Sequence, residues 1–304
     1  MKNTVNEINA AIRSDVLGFI DRCEDRYTGD VNAIAEYIAE DDDIIIISVA
    51  GPSSSGKTTT AELLRNRLER LDEKTEVMSL DNFYLTGDKL PLLPDGSRDL
   101  ESVNALDLDL IKECFNEIIT LGRTEVPVYD FKTRSRIKSE KIIDIGKHGI
   151  VIVEGLHALN PLITGLIPKK NIRGIYVSVN DPVYDENGEI LIDSWDIRLI
   201  RRVLRDEQFR NSDVNETLDI WDKVIAGEFK YLYQCKAIAD FKLATLHPYE
   251  LGLYKERMGE LKSLVTNGTE HYEHFAKLAD AVSRFDTVDR GLVPKRSLLR
   301  EFIG

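Results

Sequence analysis

Ile44-Ile45-Ile46-Ile47-Ser48-Val49-Ala50 runs straight into Gly51-Pro52-Ser53-Ser54-Ser55-Gly56-Lys57-Thr58, and that junction decides the fold. The first stretch is short, continuous and β-branched, which suits a strand buried on both faces of a parallel sheet. The second fits G-x-x-x-x-G-K-[ST]. Its glycines let the backbone curl until N–H groups converge on an anion. Beyond it, Thr58 to Arg70 reads as a helix with Ala61, Leu64 and Leu68 on one face. A helix N-terminus adds partial positive charge at the same point. In such a loop Lys57 reaches the β- and γ-phosphates of a nucleotide, and the Thr58 hydroxyl ligates Mg²⁺. The expected ATP-binding set is this loop together with Thr59.

Outward from the loop, short apolar runs alternate with helical periodicity. Glu76 to Leu80, Ile150 to Val153, Ile175 to Val179 and Ala239 to Leu243 read as strands. Leu106 to Leu121, Ile197 to Phe209 and Val214 to Tyr233 read as helices, the first closed by Gly122. Residues 86–99 are rich in Gly, Pro and Asp and read as a loop. Val126 to Ile145 alternates around a basic turn and reads as a β-ribbon. The expected fold is α/β of the P-loop NTPase type, a parallel sheet covered by helices on both faces. Expected boundaries are a helical N-terminal extension at 1–42, a P-loop domain at 43–245 and a helical C-terminal extension at 246–304. Within the domain, 126–145 is the ribbon and 196–212 a helical lid.

Composition narrows the function classes. Apolar residues make up 42% and charged residues 31%, and no stretch approaches the roughly 18 uncharged apolar residues of a membrane span. Glu7, Arg13 and Asp15 interrupt the first apolar groups, so the N-terminus does not read as a signal peptide. Cys23, Cys114 and Cys235 are widely spaced and odd in number, and read as reduced, buried thiols of a cytoplasmic protein. A net charge of −13 argues against general nucleic-acid binding, because phosphate-neutralising surface is lacking. No N-K-x-D guanine-reading motif is present, which disfavours a GTP switch. His271 and His274 suit a helix face and lack further nearby metal ligands.

Ser79-Leu80-Asp81-Asn82-Phe83-Tyr84 follows the second strand, whose end opens on the same crevice as the phosphate loop in such folds. A carboxylate there takes a proton from an attacking hydroxyl or holds a magnesium water. Arg198, Arg201, Arg202 and Arg205 fall on one helical stripe, with Arg210 beyond, and like charges so packed call for something anionic opposite. These segments, with Pro127-Val128-Tyr129-Asp130-Phe131 and Val153-Glu154-Gly155, stand in the order and spacing found in uridine kinases. Over about residues 43 to 245 the chain resembles the uridine kinase and phosphoribulokinase superfamily, and its closing Ser297 to Gly304 resembles a longer bacterial branch of uridine kinase-like nucleoside kinases.

The resemblance implies an ATP-dependent kinase that uses Mg²⁺ and transfers phosphate directly to the 5′-hydroxyl of a nucleoside. It implies that Asp81 is the general base, that Lys57, Arg202 and Arg205 attend the phosphates, and that Thr58 and Glu154 hold the metal. It places Tyr84 in the sugar pocket, Glu101 on the ribose hydroxyls and Tyr129 against the base, and makes a homo-oligomer an expectation. The acceptor half departs from the pattern: Arg134 stands where uridine kinases have a His, Ser212 in place of a second lid arginine and Ile220 in place of a pocket Gln. Asp181 to Ser194 is an insertion between strand and lid. Two alternatives stay open, a P-loop kinase of another small alcohol such as a sugar phosphate or pantothenate, and an ATP-binding regulatory module.

Overall fold

The computed structural model describes residues 3–130, 133, 135–266 and 271–304. A long helix opens the chain, α1 (Val5–Ala39), capped by the Thr4 hydroxyl and kinked at Asp15, where the backbone leaves helical geometry. Then come β1 (Ile46–Ala50), α2 (Lys57–Glu69), β2 (Thr75–Ser79), α3 (Leu108–Leu121), β3 (Arg123–Asp130), β4 (Ser135–Asp144), β5 (Ile150–Glu154) and the short α4 (Pro161–Thr164). β6 (Ile172–Ser178), β7 (Val183–Tyr184), β8 (Ile190–Ile192), α5 (Ser194–Phe209), α6 (Val214–Tyr231) and β9 (Phe241–Ala244) follow. The chain closes with α7 (Glu250–Lys262), α8 (Tyr272–Ser283) and the one-turn α9 (Arg300–Ile303).

Five strands form one parallel sheet in the order β2-β5-β1-β6-β9. β1 lies at its centre, and every residue of β1 and β5 is buried, as the unbroken β-branched runs require. Each aliphatic side chain such as Ile47 or Val49 so removed from water contributes about 1.5–3 kcal/mol. One core layer joins Ile47, Val49 and Leu64 to side chains of α1, α7 and α8; the other joins Ile46, Val151 and Val153 to Phe83, Phe115 and Ile118. The terminal extensions therefore share the sheet's own core.

Three expectations are sharpened. The ribbon is β3 paired antiparallel with β4, and the 181–194 insertion is the small hairpin β7–β8, with Tyr184 bridged to Thr4. The C-terminal extension, expected to be mostly helical, holds α7, α8 and α9, and between α8 and α9 residues 284–299 run largely irregular with one 3₁₀ turn at Arg290–Leu292. Pro294 cannot donate into a helix, and Gly291 weakens one.

Candidate active site

The loop after β1 is shaped by close approach and by strain. A Cβ at Gly51 would lie 2.0 Å from the Val177 carbonyl oxygen, and Gly56 sits in the left-handed region at φ +89. Ser54 also lies there, at φ +57, which costs a non-glycine residue energy and is characteristic of pre-formed binding loops. The buried Ser54 and Ser55 hydroxyls have no hydrogen-bond partner among the described residues, as befits donors arranged for an anion. Lys57 Nζ donates to the Pro52 carbonyl at 3.0 Å. Burial lowers its pKa, while the charges of Glu154 and Asp81 oppose that shift.

Several side chains brace the loop from behind. The Ser53 N–H donates to Glu228 Oε1 at 2.8 Å, Arg198 Nε donates to the Ser53 carbonyl at 2.8 Å, and Arg198 pairs with Glu228. From α1, the Tyr27 and Thr60 hydroxyls lie 2.7 Å apart, and Thr60 donates to the Gly56 carbonyl.

One cavity of about 1000 Å³ gathers the expected residues. Lys57, Thr58, Asp81 and Glu154 line it on the loop side, Tyr84, Glu101 and Tyr129 on the other, and Arg202 and Arg205 from α5. Asp81 leaves the turn Leu80–Phe83 that follows β2. Its side chain is reached by solvent from the cavity, yet protein crowds it on the remaining sides and raises its pKa; Lys57 pulls the other way. Glu154 ends β5, where burial first and then the Asp81 charge lift it to about 7. The Thr58 hydroxyl points to Glu154 Oε2 at 3.5 Å, too long for a firm hydrogen bond.

On the far wall the Tyr84 and Tyr129 rings are 5.7 Å apart and tilted by 49°. Tyr84 Oη donates to the Leu100 carbonyl at 3.1 Å, and the Tyr129 N–H donates to Asn82 Oδ1 at 3.1 Å. Burial lifts Glu101 to about 7, against the pull of Arg202. Behind it His157 is lowered by burial to about 4 and is neutral, its Nε2 3.0 Å from the Glu101 carbonyl. Arg134, expected at the ribbon turn, lies outside the described residues.

The arginine stripe divides by depth. Arg198 and Arg201 are buried, Arg198 on Glu228 and Arg201 on Glu250, so these two are anchors of α5. Arg202 reaches the loop, Nη1 donating to Ser53 Oγ at 2.8 Å, and Arg205 is held by two hydrogen bonds to Asp206 Oδ1. Arg210 joins them on the cavity wall, 3.5 Å from Asp206. Ser212 bonds Glu216 at the start of α6, and Ile220 lines the cavity. The stripe of Arg198, Arg201, Arg202 and Arg205, with Arg210 beyond, is legible in sequence; the bracing by Glu228 and the arrival of Glu301 at Thr59 join residues too distant in the chain to be read there.

Comparison with known proteins gives the chain's family. The model of the phosphoribulokinase / uridine kinase family matches residues 46–164. The chain is 31% identical to a uridine kinase of Lactobacillus johnsonii over 176 residues, covering 58% of this chain and 74% of that protein. It is 28% identical to a uridine kinase of Mycoplasma genitalium over 200 residues, covering 66% and 84%. With a uridine kinase of Saccharomyces cerevisiae it shares 26% over 257 residues, 82% of this chain but only 46% of the longer yeast protein. Strand, loop and helix around Lys57 are thus those of a P-loop kinase, and the chain belongs to the phosphoribulokinase / uridine kinase family.

Proposed function

We propose that the protein phosphorylates the 5′-hydroxyl of a nucleoside with ATP, giving the nucleoside monophosphate and ADP. The observation that carries this reading is the single cavity that holds the loop lysine, Asp81 and the Tyr84, Glu101 and Tyr129 wall together. Its volume is at the upper end of small-molecule sites, which suits two bound substrates. The ATP triphosphate lies along the curled loop, with Lys57 toward the β- and γ-phosphates. Asp81, with its raised pKa, accepts the proton of the attacking hydroxyl. Arg202, Arg205 and Arg210 balance the charge spread over the transferring group. Glu101 accepts hydrogen bonds from sugar hydroxyls, Tyr84 lines the sugar, and Tyr129 stacks on the base, a contact worth about 1–3 kcal/mol.

The oxygens of Thr58 and Glu154 suit Mg²⁺, since both are hard donors that face each other at 3.5 Å. Bound there, Mg²⁺ neutralises phosphate charge. Arg134, donor-only and always charged, suits a base edge rich in acceptors.

The test is a coupled ADP-release screen over uridine, cytidine, purine nucleosides, sugar phosphates and pantothenate. Nucleosides should stimulate ATP turnover. Stimulation by a sugar phosphate or pantothenate alone would move the acceptor assignment, and no stimulation by any alcohol would remove it.

A further inference from the structure

The C-terminal segment ends in the nucleotide half of the cavity. Glu301, on α9, lines the same cavity as Lys57 and Thr58. Its Oε2 accepts a hydrogen bond from Thr59 Oγ1 at 2.9 Å. Leu298 lies directly over Gly56, where an added Cβ would meet its Cδ1 at 2.4 Å. Phe302 stacks beneath Arg201, with 5.0 Å from the guanidinium carbon to the ring centre. The Ser297 hydroxyl donates to the buried Glu24 of α1 at 2.6 Å. The segment is thus fixed against the loop by neighbours on both sides of Glu301.

Polarity along the loop says which part of the donor it meets. Lys57 serves the β- and γ-phosphates. Thr59 stands two residues beyond Lys57 in the first turn of α2, and the loop and helix start that Lys57 shares with it cradle the α- and β-phosphates. A carboxylate there has two options, repelling the triphosphate or accepting from a sugar diol. Among the described residues Glu301 has no ion-pair partner, and its hydrogen bond comes from a neutral hydroxyl with a single proton. A phosphate arriving at Thr59 accepts that hydrogen bond in place of Glu301 and frees the carboxylate. The freed carboxylate faces the cavity that Lys57 and Thr58 line, and the ribose is the part of the donor that follows the α-phosphate and carries a diol. Reading ribose hydroxyls with an acidic side chain beside a phosphate-binding helix N-terminus is the same chemistry used in dinucleotide sites.

We infer that Glu301 is a specificity-determining residue of the donor site, accepting hydrogen bonds from the 2′- and 3′-hydroxyls of ATP. This rests on the kinase reading above. It gives the C-terminal segment a part in selecting a ribonucleotide over a deoxyribonucleotide.

Calorimetric titration of the full chain with ATP, 2′-deoxyATP and 3′-deoxyATP, each with Mg²⁺ and without acceptor, tests it. The unmodified protein should bind ATP about tenfold more tightly than either deoxy form, the scale of one charge-assisted hydrogen bond. Glu301→Ala should lose about tenfold in ATP affinity and discriminate less than about twofold. Glu301→Gln, which keeps shape and an acceptor oxygen, should fall between, with its melting temperature confirming the fold. Equal binding of all three nucleotides by the unmodified protein overturns the assignment. So does discrimination that survives in Glu301→Ala, or ATP binding that tightens there, the mark of mere repulsion. A protein that binds no nucleotide at all sinks the kinase reading itself, and this inference with it.

Discussion

Arg201 and Glu250 meet through two parallel hydrogen bonds, Nε to Oε2 at 2.7 Å and Nη2 to Oε1 at 2.8 Å, with both side chains wholly buried. Arg201 also donates to the carbonyl oxygens of Ser54 and Thr245. The pair therefore ties α5 to the phosphate loop and to the turn before α7. Removing one partner strands the other charge without water. Glu250→Ala should cost about 3–5 kcal/mol in denaturant unfolding, and replacing both residues by apolar ones of similar volume should recover much of it. A single variant as stable as the parent would show that the pair does not anchor α5.

Asp81→Asn separates catalysis from binding. If the carboxylate takes the acceptor proton, kcat should fall by about 10²–10⁴ while ATP affinity changes little. The fold should not suffer, because crowding already penalises the Asp81 charge. An unchanged kcat with weakened ATP binding would assign Asp81 to the nucleotide instead.

Arg210 can be tested against its neighbours. It lines the cavity with Arg202 and Arg205, and Asp206 lies among the three. Arg210→Ala should lower kcat by about 10² while shifting the acceptor KM only slightly, as expected of a group that answers charge developing in the transition state. A rise in KM at constant kcat would instead place it on the ground-state acceptor.

Acid should weaken acceptor binding through Glu101. Burial raises its pKa from 4.5 to about 7, so across neutrality it passes from acceptor to protonated acid. The acceptor KM should rise as pH falls below about 7, and Glu101→Gln should flatten that profile. The stability consequence has the opposite sense. Between 4.5 and about 7 the native state holds more protons than the unfolded chain, so stability falls as pH rises through that window. Melting temperatures of the parent and Glu101→Gln should therefore diverge with rising pH up to about 7 and run parallel above it. Profiles that stay parallel throughout would show that Glu101 keeps an ordinary pKa.

The sequence by itself determined the sheet, the loop and the sense of the chemistry. Ile44 to Ala50 can only be satisfied by burial on both faces, and Gly51 to Thr58 by an anion, because strand pattern and loop curvature are local properties written in consecutive residues. Periodicity also placed Arg198, Arg201, Arg202 and Arg205 on one stripe, but it could not rank them by depth. Only the packing of α6 and α7 against α5 supplies Glu228 and Glu250, which turn Arg198 and Arg201 into anchors and leave Arg202 and Arg205 to the cavity. The same holds for Glu301, distant in sequence from Thr59 and brought to it by a C-terminal segment seated on Gly56, Arg201 and Glu24. Charge pairing in a folded core depends on which side chains share a low-dielectric space, and that is a property of the tertiary structure, not of spacing along the chain.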